Sequence, residues 1–164
     1  MNINARRISI IVIFAALYAV GVIFLAPISY SFFQVRIADA FLPLSMIFGI
    51  PSAIGLSVGC LISNVYGGLG PVDIFGGSIA NFVACTLAWY IARKRGFGRR
   101  FIGSIIQTIV ITIIVGGYLW VIFKVPIEFS LAGVFVGSLI SINILGFALQ
   151  ETIRRNRSIS DYAE

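Results

Sequence analysis

Residues Gln34 to Pro43 read QVRIADAFLP, and the parsing of the whole chain turns on them: they set an arginine and an acid, Arg36 and Asp39, at the head of an otherwise apolar helix. Nearly every other charge lies outside the apolar segments. Spaced three apart, the two side chains share one helical face, and Asp39 falls in a first turn whose free amides and dipole favour an anion. Two readings follow: a self-satisfied pair at a helix mouth, or half of a polar pocket for a ligand. Ionisable groups within a membrane helix cost roughly 2.5 to 3.5 kcal/mol at mid-helix, so such groups tend to be paired or functional.

Apolar runs flank this stretch on both sides. Upstream, Ile8 to Ala26 follows Arg6 and Arg7 and is long enough to be a first span rather than a leader. Ala15 and Ala19 form a small-x-x-x-small pair on it, a pattern that lets another helix approach closely. An aromatic loop, residues 28–35, connects it to the charged stretch. Downstream, residues 37–50 form a short apolar segment carrying Pro43, expected to be tilted, kinked or shielded by its neighbours. Further spans are expected at about 51–66, with Gly55 and Gly59 as a GxxxG face, and at 76–92, 101–123 and 131–150. The connection Gly67 to Gly77, GGLGPVDIFGG, reads as a pliant loop holding Asp73, and a polar tail covers 151–164.

Composition agrees with that parsing. The 164 residues are 59% hydrophobic and 11% charged, and the mean hydropathy is +1.04, far from the balance of a soluble domain. The expected fold is all-α, a polytopic membrane protein built as a compact bundle of six transmembrane helices at about 20 residues each. These residues leave no room for a soluble catalytic or nucleotide-binding domain, so energy must come from an ion gradient or another protein. There is no histidine, which excludes a His-based triad and most zinc sites. Cys60 and Cys85 fall within apolar helices and read as packing residues. Neither an enzyme nor a cofactor or metal site is expected.

The net charge of +6 reports orientation rather than nucleic-acid binding, because the basic residues sit beside apolar spans. With six spans, Arg6, Arg7, Arg93, Lys94, Arg95, Arg99, Arg100, Arg154, Arg155 and Arg157 fall on one side, and Arg36 and Lys124 on the other. Cytoplasmic flanks collect lysine and arginine, so both termini are expected in the cytoplasm of a cell-membrane protein. Arg36, Asp39, Asn64, Asp73, Asn81, Tyr118 and Trp120 then belong to the outer half, with Asn143 near mid-depth. Apolar walls with a few directed polar groups are the usual makings of a small-molecule site, and a pocket opening outward is expected from this set.

The segments RIADAFLPL, IGLSVGCLISN and GPVDIFGGSIAN, with the Ala15 and Ala19 pair and the six-span size, resemble the small substrate-binding S components of energy-coupling factor transporters, within them the queuosine-precursor branch. The ordered series Arg36, Asp39, Pro43, Gly59, Asn64, Asp73 and Gly77 carries most of the likeness. The resemblance implies capture of a vitamin-like heterocycle from outside. It also implies inward delivery while the chain is docked to a transmembrane coupling subunit driven by two ATPase subunits, with Ala15 and Ala19 facing the coupling subunit.

A 7-deazaguanine ligand suits the residues. Its guanine-like edge presents adjacent N–H donors to a carboxylate, Asp39 or Asp73, and its O6 accepts from Arg36, Asn64 or Asn81. Tyr118 or Trp120 offers a ring to stack on, an interaction worth about 1 to 3 kcal/mol per base in nucleic-acid systems. A standalone secondary carrier and a non-transport assembly subunit are the rival readings.

Overall fold

A computed structural model describes residues 5–29, 36–93 and 96–155. Gln34 and Val35, most of the aromatic loop, Lys94 and Arg95 of the basic run, and the tail with Arg157 lie outside the described residues. Among the described residues there is no strand, and six helical elements carry the fold. They are α1 (Ala5–Phe24), α2 (Ile37–Phe48), α3 (Ile50–Gly67), α4 (Pro71–Ala92), α5 (Phe97–Phe123) and α6 (Ile127–Arg155), with a short helical turn, Ala26–Ser29, after α1. All but α2 are long and apolar enough to cross a membrane.

The short element is the central one. In α2 the first eight residues, Ile37–Leu44, wind as a 3-10 helix and the last four, Ser45–Phe48, as an α-helix. At about 2.0 and 1.5 Å per residue, the two pieces together reach about 22 Å. That nearly matches the depth of α4 from Asp73 to Trp89, about 24 Å at α-helical rise. The two helices do run side by side in the same direction: Arg36 meets Asp73 at one end, and Gly49 meets the Trp89 indole at the other. Pro43 lies inside the 3-10 stretch, where it has no N–H to donate. The neighbouring Leu42 carbonyl accepts from the Gln107 amide at 2.9 Å, tying α2 to α5.

Contacts at matched depths give the remaining directions. Phe14 meets Phe48 in a tilted ring contact and Gly21 abuts Ala38, so α1 and α2 are antiparallel. Gly55 lies on Ile11 and Phe14, and Gly59 on Ala15 and Tyr18, so α1 and α3 are parallel. Tyr118 reaches Asp73 while Gly103 abuts Ala88, and Ser130 bonds Gly116 while Glu151 meets Arg100. The helices therefore alternate in direction along the chain, and the first and last described residues lie at the same end of the bundle.

Against the pattern of a soluble protein, many large apolar side chains are exposed while several polar ones are buried among the apolar residues of the core. Phe24 is 83% and Val20 64% exposed, whereas Arg36, Asp39, Asn64, Asp73, Gln107 and Gln150 are buried. That inversion suits a lipid surround, where backbone and polar side chains must find partners inside the protein.

The fourth helix starts at Pro71, not near Gly76 as the glycines of GGLGPVDIFGG suggest. Gly68 (φ +68) ends α3 and Gly70 (φ +104) opens α4, two left-handed positions that suit glycine. Pro71 is pre-set for a first helical turn. Asp73 thus belongs to a helix rather than a loop, and the connection shrinks to residues 68–70. At Gly49, φ +71 turns α2 directly into α3.

Helices α1 and α3 approach closely at the glycines of α3. A Cβ placed on Gly59 would lie 2.6 Å from the Ala15 carbonyl oxygen and 2.9 Å from the Tyr18 Cβ. Gly59→Ala is therefore expected to lower the melting temperature in detergent, with a loss of about 1 to 3 kcal/mol from overpacking. Gly98→Ala, whose Cβ meets nothing within 4 Å, should not lower it. Equal melting curves for Gly59→Ala and the parent would refute this packing.

Candidate functional site

At the end of the bundle away from the described termini, polar side chains from five helices converge. Arg36 precedes α2 on extended backbone (φ −80, ψ 92), so its side chain does not follow the helical i, i+3 rule that would aim it at Asp39. It reaches across to α4 instead, with Nη2 3.4 Å from Asp73 Oδ1, and its Nη1 lies 3.7 Å from the Cys60 sulfur. Asp39 accepts a hydrogen bond from the Tyr18 hydroxyl of α1 at 2.6 Å. Arg36 thus reaches Asp73 and Cys60 while Asp39 holds Tyr18, contacts between helices that a self-satisfied pair at the helix mouth does not supply.

Asp73 is the hub. It lies in the first turn of α4 and is fully buried. There the helix dipole favours a carboxylate. Its Oδ1 accepts from Tyr118 of α5 at 2.8 Å as well as from Arg36. Its backbone carbonyl accepts from the Asn64 amide of α3 at 2.7 Å. Gly77, one turn on, leaves space for this crowding: a Cβ there would lie 2.7 Å from Asn64 Nδ2. Two acceptor atoms in the cluster, Asp73 Oδ2 and Asn64 Oδ1, are buried without a hydrogen-bond partner. A buried acceptor left unpaired costs roughly 1 to 3 kcal/mol, more when charged. A ligand with N–H donors would satisfy both.

Of the residues named from the sequence, Arg36, Asp39, Asn64, Asp73 and Tyr118 are brought together here. Instead of lining an open outer pocket, they enclose one another: Arg36 and Asp39 are each 4% exposed, and Asn64 and Asp73 0%. Asn81 lies on the same face of α4, about 12 Å further along at α-helical rise, buried and with its amide nitrogen unpartnered. Trp120 is 41% exposed and donates to Gly117 of its own helix, so its ring stands apart from the cluster. Asn143 belongs to a separate group toward the other end, donating to Ser104 at 3.1 Å and accepting from Thr108.

Tyr18, not singled out in the sequence, and Cys60, read there as a packing residue, join the cluster. Tyr18 carries its own signal, since a phenol in mid-span needs a polar partner, and it lies on the stripe of Phe14 and Val22, which are also buried. Cys60 bears no signal beyond its position one turn before Asn64. Ala15 and Ala19 are engaged within the chain. Ala19 is buried and Ala15 is half-buried, with the Ala15 backbone against Gly59 of α3.

Comparison with known proteins gives one result. A family model described as QueT transporter matches residues 8–155. Searches of curated proteins and of solved structures returned no match. The match spans nearly all of the six-helix bundle, including every member of the buried cluster. The chain is a membrane protein that belongs to the QueT transporter family.

Proposed function

We propose that this transporter is the substrate-capturing subunit of an energy-coupling factor importer. It takes a 7-deazaguanine queuosine precursor from outside and delivers it inward when docked to a coupling subunit and two ATPase subunits. The observation that carries the reading is the cluster of Arg36, Asp39, Asn64, Asp73 and Tyr118, enclosed at one end of the bundle with unpartnered acceptors on Asp73 and Asn64. A guanine-like edge supplies adjacent N–H donors to such acceptors, and its carbonyl accepts from a guanidinium. In this reading Asp73 is the first choice for the ligand's carboxylate, because its Oδ2 is unspent while Asp39 holds Tyr18. Asn81, below the cluster on α4, lies on the path inward. Trp120 and Asn143 contribute only after a rearrangement of α5 and α6.

Binding of a radiolabelled 7-deazaguanine beside a panel of vitamins and nucleobases tests the reading, and binding of no heterocycle would refute it. Asp73→Asn is expected to lower affinity about ten- to a hundredfold, since hydrogen bonds to a charged group contribute roughly 1.5 to 3 kcal/mol. Calorimetric titration reads the affinity, with melting temperatures of the unliganded forms as control. Unchanged affinity with a lowered melting temperature would return Asp73 to a purely structural role.

The chain lies in the cell membrane in this reading, with α2 as a sixth, 3-10-stretched crossing and both termini cytoplasmic. Support comes from the basic residues Arg6, Arg7, Arg93, Arg99, Arg100, Arg154 and Arg155 at the end where the described chain starts and stops. In a background lacking Cys60 and Cys85, a cysteine at Gly96 should resist an impermeant thiol reagent in intact cells, and one at Glu128 should be labelled. The opposite pattern would invert the topology.

Docking to the coupling subunit involves the half-exposed flank of Ala15, with Ala19 behind it. Ala15→Leu should reduce copurification with a coupling subunit while heterocycle binding persists. Full copurification of the variant would leave the alanine pair as internal packing against α3.

A further inference from the structure

We propose that the cavity between the start of α5 and the end of α6 is a site for the phosphate headgroup of an anionic phospholipid. It lies at the end of the bundle opposite the buried cluster, has a volume of about 560 Å³, and is lined by Phe97, Arg100, Phe147, Glu151, Arg154 and Arg155 among others.

The charges in it do not balance. Arg100 is buried and spends Nε and Nη2 on the two carboxylate oxygens of Glu151, a two-pronged pair that joins α5 to α6. Arg154 lies 3.6 Å from the same carboxylate, beyond a good hydrogen bond, with its side chain 47% exposed. Arg155 is exposed beside it. Two guanidinium groups thus meet one carboxylate and a third, that of Arg155, lines the same cavity, so the two outer ones keep donors for a further anion. A guanidinium fork matches the oxygens of a phosphate.

The apolar half of the cavity selects an amphiphile over a soluble anion. Phe147 forms its floor, edge-on to Phe97 and to Phe101 at ring separations of 5.5 and 5.6 Å. One helical turn from Phe97 toward the middle of the bundle is Phe101, 44% exposed. One turn from Ala148, which also lines the cavity, is Ile144, 63% exposed. Residues four apart stack on one helical face, so an apolar strip leads from the arginines down the outside of both helices. A soluble phosphate makes no use of that strip, whereas an acyl chain covers it. Basic pockets between membrane helices hold lipid headgroups by this combination.

The test uses the full chain in nanodiscs of equal phosphatidylglycerol and phosphatidylcholine, with retained lipid identified by native mass spectrometry. Phosphatidylglycerol should be retained in clear excess over its share. Arg154→Ala with Arg155→Ala should weaken its retention by about twenty- to thirtyfold, at about fivefold per arginine. Arg154→Lys with Arg155→Lys should retain most of it. Arg100 and Glu151 stay untouched because they join the two helices. Retention of the two lipids in their mixing ratio, or undiminished phosphatidylglycerol on the alanine variant, would overturn the proposal. Displacement of the lipid by excess inorganic phosphate would overturn it in favour of a soluble-anion site. Should the alanine variant fail to fold, the competition between the two lipids on the parent protein decides alone.

Discussion

A guanidinium that stays charged at any physiological pH has to be answered wherever the chain buries it, and Arg36 is only 4% exposed. Taking such a charge out of water costs several kcal/mol unless an anion and further hydrogen bonds receive it. Here the receiving anion is Asp73, on a helix that starts 35 residues later in the chain, counting from Arg36 to Pro71. The demand of that one charge sets the start of α2 against the start of α4. Tyr118 and Asn64 also bond to Asp73, through its Oδ1 and its backbone carbonyl, and bring in α5 and α3. Asp39, held by Tyr18, brings in α1. Apolar packing alone does not specify such an arrangement in lipid, where apolar surface gains little by leaving the acyl chains.

The geometry of α2 makes the arrangement reachable. As an α-helix its twelve residues, eight of 3-10 and four of α in the structure, would rise only about 18 Å. The 3-10 winding lengthens them enough to hold Arg36 beside Asp73 and Gly49 beside Trp89. The π-helical stretch Leu139–Gly146 of α6 lies against this element, with Gly146 close to the Ala40 backbone and Pro43. A tight helix and a wide one meet at that point, and glycine leaves the space for it. Non-α turns of this kind often mark functional segments of helices. In this molecule they adjoin the element that carries Asp39 and follows directly on Arg36.

The two ends of the bundle differ in chemistry. One encloses charge completely, in a cluster with acceptors to spare. The other carries exposed arginines, and the part-buried pair of Arg100 with Glu151 serves there as a clasp between α5 and α6.

Composition and hydropathy alone determined the membrane class and the helical bundle, and polar groups within apolar runs pointed to Arg36, Asp39, Asn64, Asp73 and Tyr118, which the structure clusters, but equally to Asn81, Trp120 and Asn143, which lie outside the cluster. Those properties are legible because twenty-residue apolar runs and stray charges within them have few physical outcomes. Partner choice was not legible. Arg36 and Asp39 look like a pair by spacing, but Arg36 stands on extended backbone outside the helix, where spacing no longer aims the side chain. Asp73 reads as a loop residue because glycines surround it, although two left-handed glycines and Pro71 in fact close a short turn and start a helix. Ala15 and Ala19 read as a face that lets another helix approach closely, and which helix does so is not legible: inside the chain it is α3, whose Gly59 lies on the Ala15 backbone. Tyr18 gained a role only because α1 crosses α2 at that depth. Local sequence settles which residues want a partner. Which partner they get depends on the crossing and depth of helices distant in the chain, and that only the tertiary structure decided.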